Sequence, residues 1–497
     1  MAHHVDARRL VALAAAGAVA MSASSWWIGA ISVHRVPGRY APLPWFLWHG
    51  DPAHLAFYAG LIAFTLAWLI LGRQVLDEAG HATPAVLHRF IICSAVPFLF
   101  AAPFGRDLWA YAAQGHLTGS GLDPYSHGPS AVPGAFTEEV SARWLDSAAP
   151  YGPLWLRISQ LAAWASHGHP AVAALLLRLP EFAALLVCCW ALRVLAERLT
   201  GRLCTALWLG LAGPLTIVLG VGGGHNDLLM IALALAGLAV ATRPGLRAVA
   251  VGAAVAGVGV MVKSPAAVAV AFTVPVWLHA NAAGHAPRSI VRAGAAAIAG
   301  SAVAVAVITA STGLGFGWTG QVTSDAQWVS WLSLPSAAGM IVHAVAGSGP
   351  VRELDDMMRT CRTIGEVLAV LLLITLWCLA LRHRPIAHLA AAFGAAALLA
   401  PSVQPWYYAW GLVVIGLVSL RRAAVTVLAA VAVMFPVMIT PSGFGWESSW
   451  RTVPIVLGSL AVTAIALRRS GSAPDDDGPD DARPEVGADH SPQLGHI

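Results

Sequence analysis

Stretches of apolar residues long enough to cross a bilayer recur from Leu10 to Leu467, with arginines, glycines and prolines between them. That pattern leaves few choices. In hydrocarbon every backbone polar group must be satisfied internally, so a chain of apolar runs of this length folds as spanning helices. Of its 497 residues 58% are hydrophobic and 11% charged, with a mean hydropathy of +0.69. Soluble domains carry about 25% charged residues, which excludes a soluble globular domain.

Hydropathy predicts an all-α, polytopic transmembrane bundle of about 13–14 spanning helices within residues 1–470. The spans are Leu10–Ile31, Leu55–Leu71, Phe90–Phe104, Val172–Leu195, Leu203–Leu219, Leu228–Ala241, Leu246–Val262 and Ala266–Ala280. Ile290–Ala310, Ile364–Leu381, Ile386–Ala400, Tyr407–Leu420, Ala424–Ile439 and Val453–Leu467 complete the set. No cleavable signal peptide is evident, and the first span is long enough to remain as an anchor. The tail, residues 471–497, holds seven acids against Arg483 and no aromatics, and reads as a disordered cytoplasmic segment. Without it 28 bases stand against 18 acids. This excess lies mostly in short loops, as the positive-inside rule requires, and is no nucleic-acid footprint. The six cysteines sit in or beside apolar spans without ligand spacing and read as small core-filling thiols.

Arginine pairs such as Arg8/Arg9, Arg382/Arg384 and Arg421/Arg422 mark one side of the membrane, and the polar motifs fall on the other. The motif side receives Asp107–Gly152, Gly222–Asp227, the break at Lys263, Gly313–Arg362, Gln404–Trp406 and Thr440–Arg451. The alternation works if Tyr151–Ser166 does not cross but lies on the outer surface as an amphipathic helix, anchored by Trp155 and Trp164. Residues 105–169 then form an extracytoplasmic loop carrying the chemistry.

Asp107 is the leading candidate, because charge at a membrane border is costly and is kept mainly where it works. Read as a helix, Asp107, Tyr111, Gln114 and Thr118 share one face, a stripe able to hold a sugar and take a proton from its hydroxyl. The structural alternative is an N-cap, weakened by the lack of a capping-box partner three residues on. Asp123 belongs to a Gly- and Pro-bounded turn, where bonding to nearby amides is the expected role. Tyr125 and Tyr151 are aromatics at rigid turns that can stack on a sugar or lie at the interface. Gly222, Gly223 and Gly224 allow close backbone approach before His225, Asn226 and Asp227 start a helix, so exposed amides there could cradle a phosphate. The alternative is a hairpin turn capped by Asn226 or Asp227. Lys263 is the one lysine against 28 arginines, and its ammonium needs an anion: Asp227 or Asp107 within the protein, or a lipid phosphate, which the reading favours. Trp328, Trp331 and Ser333, and Gln404 and Trp406, lie at span ends where aromatic belts are common. The histidines show no ligand spacing, and neither a metal nor a cofactor is assigned.

Six motifs in order resemble a known family. They are Phe104-Gly-Arg-Asp-Leu-Trp-Ala-Tyr-Ala-Ala-Gln-Gly115, Gly121-Leu-Asp-Pro-Tyr-Ser126, Ala149-Pro-Tyr-Gly-Pro-Leu154, Gly223-Gly-His-Asn-Asp227, Trp331-Leu-Ser333 and Gln404-Pro-Trp-Tyr407. Together they are similar to the polyprenol-phosphate-mannose-dependent α-(1→6)-mannosyltransferases of actinobacteria, GT-C fold membrane enzymes of lipomannan synthesis. The resemblance implies a polyprenyl-phosphate-mannose donor in the lipid, a glycolipid or mannan acceptor and a site outside the plasma membrane. It carries the family's catalytic acid onto Asp107. Related enzymes often show two acids there, whereas Arg106 precedes Asp107 here, leaving a single general base with Arg106 placed to position phosphate. The motifs do not read sugar stereochemistry, so another polyprenyl-phosphate sugar is an alternative. A lipid or solute transporter is a second, for which Glu181, Glu366 and Lys263 are the few intramembrane candidates.

Overall fold

The computed structural model describes residues 6–28, 52–77, 82–282, 286–324, 330–345, 351–438 and 452–468. The acidic tail, Trp328, the Thr440–Arg451 motif and the last residues of the first predicted span lie outside the described residues. Every regular element described is helical. Among the described residues five helices are long and apolar enough to cross a membrane, a bent pair makes a sixth if counted as one span, and eight shorter apolar helices accompany them.

The N-terminal half runs α1 (Ala7–Ile28), α2 (Pro52–Leu76), α3 (Pro84–Ala95), α4 (Asp107–Gly119), α5 (Pro153–Ala165) and α6 (Arg178–Leu195). A broken helix follows, Leu203–Leu211 and Leu215–Gly222 meeting at 52°. Next come α7 (Asp227–Ala241), α8 (Leu246–Val260), α9 (Ala267–Ala280) and α10 (Pro287–Thr312). The C-terminal part holds α11 (Leu334–Val345), α12 (Val351–Arg382), α13 (Pro385–Leu398), α14 (Tyr408–Ile415), α15 (Arg422–Met438) and α16 (Thr452–Ala466).

The packing is that of a membrane bundle, in which small residues let backbones approach. A Cβ at Gly17 or Gly60 would meet the other's carbonyl, and the same holds for Gly237 and Gly252 between α7 and α8. Trp68 and Trp208, both fully buried, stack at 5.1 Å. Each indole N–H donates to the other's carbonyl at 2.9 Å, tying α2 to the broken helix. By contrast α10 and α12 are only 11% buried and present rows of apolar side chains outward, such as Val367, Leu368 and Leu371. That is the surface lipid would cover.

Three sequence expectations need adjusting. Tyr407–Leu420 is a short turn and the eight-residue α14 rather than a full span, because Pro405 opens it and Gly416 and the backbone of residue 206 meet at close range. Leu334–Val345 forms an apolar helix that the span list omits. In α5, Trp164 is 73% exposed, as an interfacial anchor should be, but Trp155 is fully buried. It lies nine residues earlier, about half a turn around the helix, and packs edge-on against Tyr111 of α4. Of the cysteines, Cys188 and Cys189 fill the core while Cys93 and Cys378 face outward.

Candidate active site

Four chain segments meet around a cavity of about 410 Å³, within the ~300–1,000 Å³ usual for small-ligand sites. Asp107, Ala110 and Gln114 of α4 form one wall; Trp144 to Tyr151 form a second. Lys263 and its Ser-Pro turn supply the third, and Gln404, Trp406, Tyr407 and Trp410 the fourth. Beyond the polar groups the lining turns apolar, through Ala267 and Val268 of α9, Leu373 of α12 and Ala396 of α13.

Local sequence explains why these segments meet. Gly152 can carry no side chain, since a Cβ would overlap the Met261 carbonyl. Its N–H donates to Val262 O at 3.1 Å and that of Leu154 to Met261 O at 3.0 Å, so the Tyr151 turn is fastened to the break that exposes Lys263. Pro265 ends any continuation of α8 and starts α9 with a tight turn. On the far wall, Ser330, Ser333 and Ser336 donate to the carbonyls of Val403, Ala400 and Pro401 at 2.6, 2.7 and 2.7 Å. These three bonds hold the 400–403 loop that carries Gln404.

The ionised groups form two clusters. Lys263 Nζ lies 2.9 and 2.8 Å from the two oxygens of Asp227, and the Trp410 indole donates to the first of them at 2.7 Å. The ammonium also sits over the Tyr407 ring, 4.3 Å from its centroid, and Tyr407 stacks on Trp410 at 4.5 Å. Burial pulls the Lys263 pKa down, but Asp227, then Tyr407 and Asp107, overcome it and the net shift is upward, so Lys263 is a cation at neutral pH. In the second cluster, Asp107 Oδ2 lies 3.3 Å from His225 Nδ1, and the His225 ring stacks on Trp406 at 3.5 Å and 13°. Asp107 is the first residue of α4, with Arg106 at the cap position, so the N-cap role does not describe it.

The remaining expectations divide. Gln114, Tyr151, Lys263, Gln404 and Trp406 join Asp107 on the cavity wall. Tyr111 does not: the turn of α4 carries it inward, buried edge-on between Tyr151 and Trp155 at 5.1 Å from each. Burial first, then Tyr151 and the nearby carboxylates, raises its pKa well above the usual phenol value, so it stays neutral. Thr118 spends its hydroxyl on Gln114 O. Tyr125 is buried and donates to Tyr151 O at 3.2 Å, a brace for the turn. Asp123 bonds to Tyr125 N–H and Ser126 Oγ, the structural role expected of it. Arg106, Trp331 and Ser333 are not part of the lining.

The glycine corner is a correction. The amides of Gly223, Gly224 and His225 donate to carbonyls of residues 218–220, so they offer no phosphate cradle. The absent side chains serve packing: Gly222 sits against Phe104, and Gly224, at φ +67°, against Leu108. Asn226 is fully buried at the cap position of α7, and its side chain makes no capping bond. His225 and Asp227 are buried too and contact Asp107 and Lys263 rather than lining the cavity themselves. The lysine's partner is Asp227, the protein carboxylate, rather than an anion held alone. Trp144, Tyr407 and Trp410 of the cavity wall had no signal beyond their position near span ends. Among the described residues no three His, Cys, Asp or Glu side chains group as metal ligands.

Residues 11–279 match the model of the alpha-(1→6)-mannopyranosyltransferase N-terminal domain, and residues 335–469 that of the MptB C-terminal domain. The chain belongs to this family. It is similar to alpha-(1→6)-mannopyranosyltransferase A of Mycobacterium tuberculosis, with 32% identity over 95% of this chain and 91% of the relative. Against the Corynebacterium glutamicum protein of the same name the identity is 27%, over 82% of this chain and 87% of the relative. A probable alpha-(1→6)-mannopyranosyltransferase of Mycolicibacterium smegmatis is 31% identical over 71% of this chain and 68% of its own length. No solved structure matches the chain. Membership makes the chain a membrane-embedded hexosyltransferase, which sets aside the transporter alternative.

Proposed function

We propose that this enzyme transfers mannose from a polyprenyl-phosphate-mannose donor to the 6-hydroxyl of a mannan or glycolipid acceptor, with Asp107 as general base. The observation that carries this reading is the shape of the cavity lining. A carboxylate and an ammonium occupy its polar end, and its apolar wall is made by α9, α13 and α12, the last being one of the two helices with outward apolar rows. A sugar phosphate on a lipid chain is a ligand with that same division.

In this mechanism the mannosyl phosphate lies beside Lys263, whose charge offsets the phosphate's and grows in value as the leaving group gains charge. Asp107 takes the proton of the acceptor hydroxyl as its oxygen bonds to the anomeric carbon and the bond from that carbon to the phosphate oxygen breaks. Attack opposite a β-linked phosphate inverts the centre and yields an α-linkage. The departing lipid phosphate is a weak base and needs no proton, so one positioned base suffices. Tyr151, Trp406 and Gln114 offer faces and an amide for the sugar rings. The site would face the outside of the plasma membrane, where a lipid-linked sugar replaces a cytoplasmic nucleotide donor.

The test is to incubate membranes holding the protein with radiolabelled polyprenyl-phosphate mannose and a short α-mannoside. The expected product is an acceptor one mannose longer, cleaved by an α-(1→6)-specific mannosidase. Transfer from a different lipid-linked hexose, with none from the mannose donor, would contradict the donor assignment.

A further inference from the structure

Two fully buried ionisable side chains take no part in the cavity. Arg178 and Glu181 stand three residues apart on α6, inside an apolar span. They form no ion pair with each other. Each grips a different side of the corner that joins the broken helix to α7. Arg178 Nη2 donates to Gly222 O at 2.9 Å, and Glu181 Oε2 accepts from Leu229 N–H at 3.1 Å. The chemistry suits these places: a guanidinium N–H at the carbonyl end of one helix, a carboxyl oxygen at an amide in the first turn of the next.

As packing this is an expensive choice. Nε and Nη1 of Arg178, Oε1 of Glu181 and both amide atoms of Asn226 have no hydrogen-bond partner. A well-packed apolar pair commonly serves stability as well as buried ions or better. What the two side chains hold is specific. Between the anchor points at Gly222 and Leu229 lie His225, in contact with Asp107, and Asp227, which binds Lys263 and Trp410. One short corner therefore touches both ionised groups that face the cavity.

We propose that Arg178 and Glu181 are positioning residues for sugar transfer. They fix the 222–229 corner so that His225 and Asp227 hold Asp107 and Lys263 at the separation the reaction needs. Neither touches substrate, so their loss is felt in turnover more than in binding; a misplacement of about 1 Å can cost about a hundredfold in rate. The inference rests on the transfer reading only in the assay used to see it.

The experiment measures kcat and KM per folded full-length protein for E181M, E181Q and E181D, each in the wild type and in D227N. E181M removes the acceptor at similar volume, and E181D keeps the carboxyl but withdraws it from Leu229. Both are expected to lose about ten- to a hundredfold in kcat with donor KM within about twofold. E181Q keeps an oxygen for Leu229 N–H and is expected to recover most of the rate. In the D227N background the same substitutions should cost measurably less, because the corner no longer controls Lys263 and acts only through His225 on Asp107. Unchanged kcat in E181D, or the same fold-loss with and without Asp227, would overturn the proposal. So would a loss that merely follows the amount of folded protein. The role of Asp107 is judged separately: an active D107N would sink that reading and leave the Glu181–Asp227 coupling standing.

Discussion

Asp107 and Asp227 begin their helices in the same way and end with different duties. Each is the first residue of a helix, behind a cap residue that makes no side-chain bond. Asp227 is 4% exposed and saturated, with both oxygens on Lys263 and one also on Trp410. Asp107 is 13% exposed, faces the cavity and, among the described residues, has one ion-pair contact, with His225. A carboxylate can take a proton from a substrate only with a free, reachable oxygen. Asp227 holds a cation, and the free face of Asp107 is what the proposed general-base role requires.

The largest expected effect breaks the comparison on one side. Asp107→Asn should leave the protein in the membrane and lower transfer by about a hundredfold or more, as loss of a general base does. A membrane assay normalised to protein level reads it. Next is the pair on the other side. Lys263→Met leaves Asp227 buried without its partner, which should cost about 3–5 kcal/mol and lower the folded amount. Adding Asp227→Met should restore folding while transfer stays at least about tenfold down, the electrostatic stabilisation of the leaving group being lost. Thermal unfolding and transfer measured on the same samples separate the two effects.

A smaller effect sharpens the link between the clusters. His225→Phe keeps the stack on Trp406 but loses the contact with Asp107, and should reduce kcat several-fold with donor KM little changed. An equal loss in His225→Asn, which keeps a polar contact, would argue that the stack matters instead. Smaller still, Ser333→Ala removes one buried bond to the 400–403 loop and should cost about 1 kcal/mol of stability, with the rate per folded protein nearly unchanged. The pH dependence follows from the sign at Lys263. Its pKa is raised, so the stability it contributes is fully present below its ordinary value of 10.5 and is lost as pH rises through the higher folded value. Melting curves from pH 7 to 9 should show no loss from this pair, and the double Met variant should lack any fall above that range.

Much of this was readable from the chain. The all-helical membrane class follows from apolar run length. Asp107, Lys263, Gln404 and Trp406 stood out because polar or charged groups at span ends are scarce, and they share one cavity. What misled was residue type without direction. Glycines do mark close approach, but at Gly222 and Gly224 the approaching groups are Phe104 and Leu108, not a ligand. Tyr111 lies on the helical stripe with Asp107, yet 40° around the helix is enough to bury it against Trp155. Glu181 read as a transporter residue because a sequence records a charge inside a span, while its partner, the amide of Leu229, lies 48 positions away.

The most direct test is a structure of the Asp107→Asn protein with polyprenyl-phosphate mannose bound. The account expects the phosphate beside the Lys263 ammonium, the anomeric carbon turned toward residue 107 and the lipid chain along α9, α12 and α13. A sugar phosphate seated away from both Lys263 and residue 107 would contradict it.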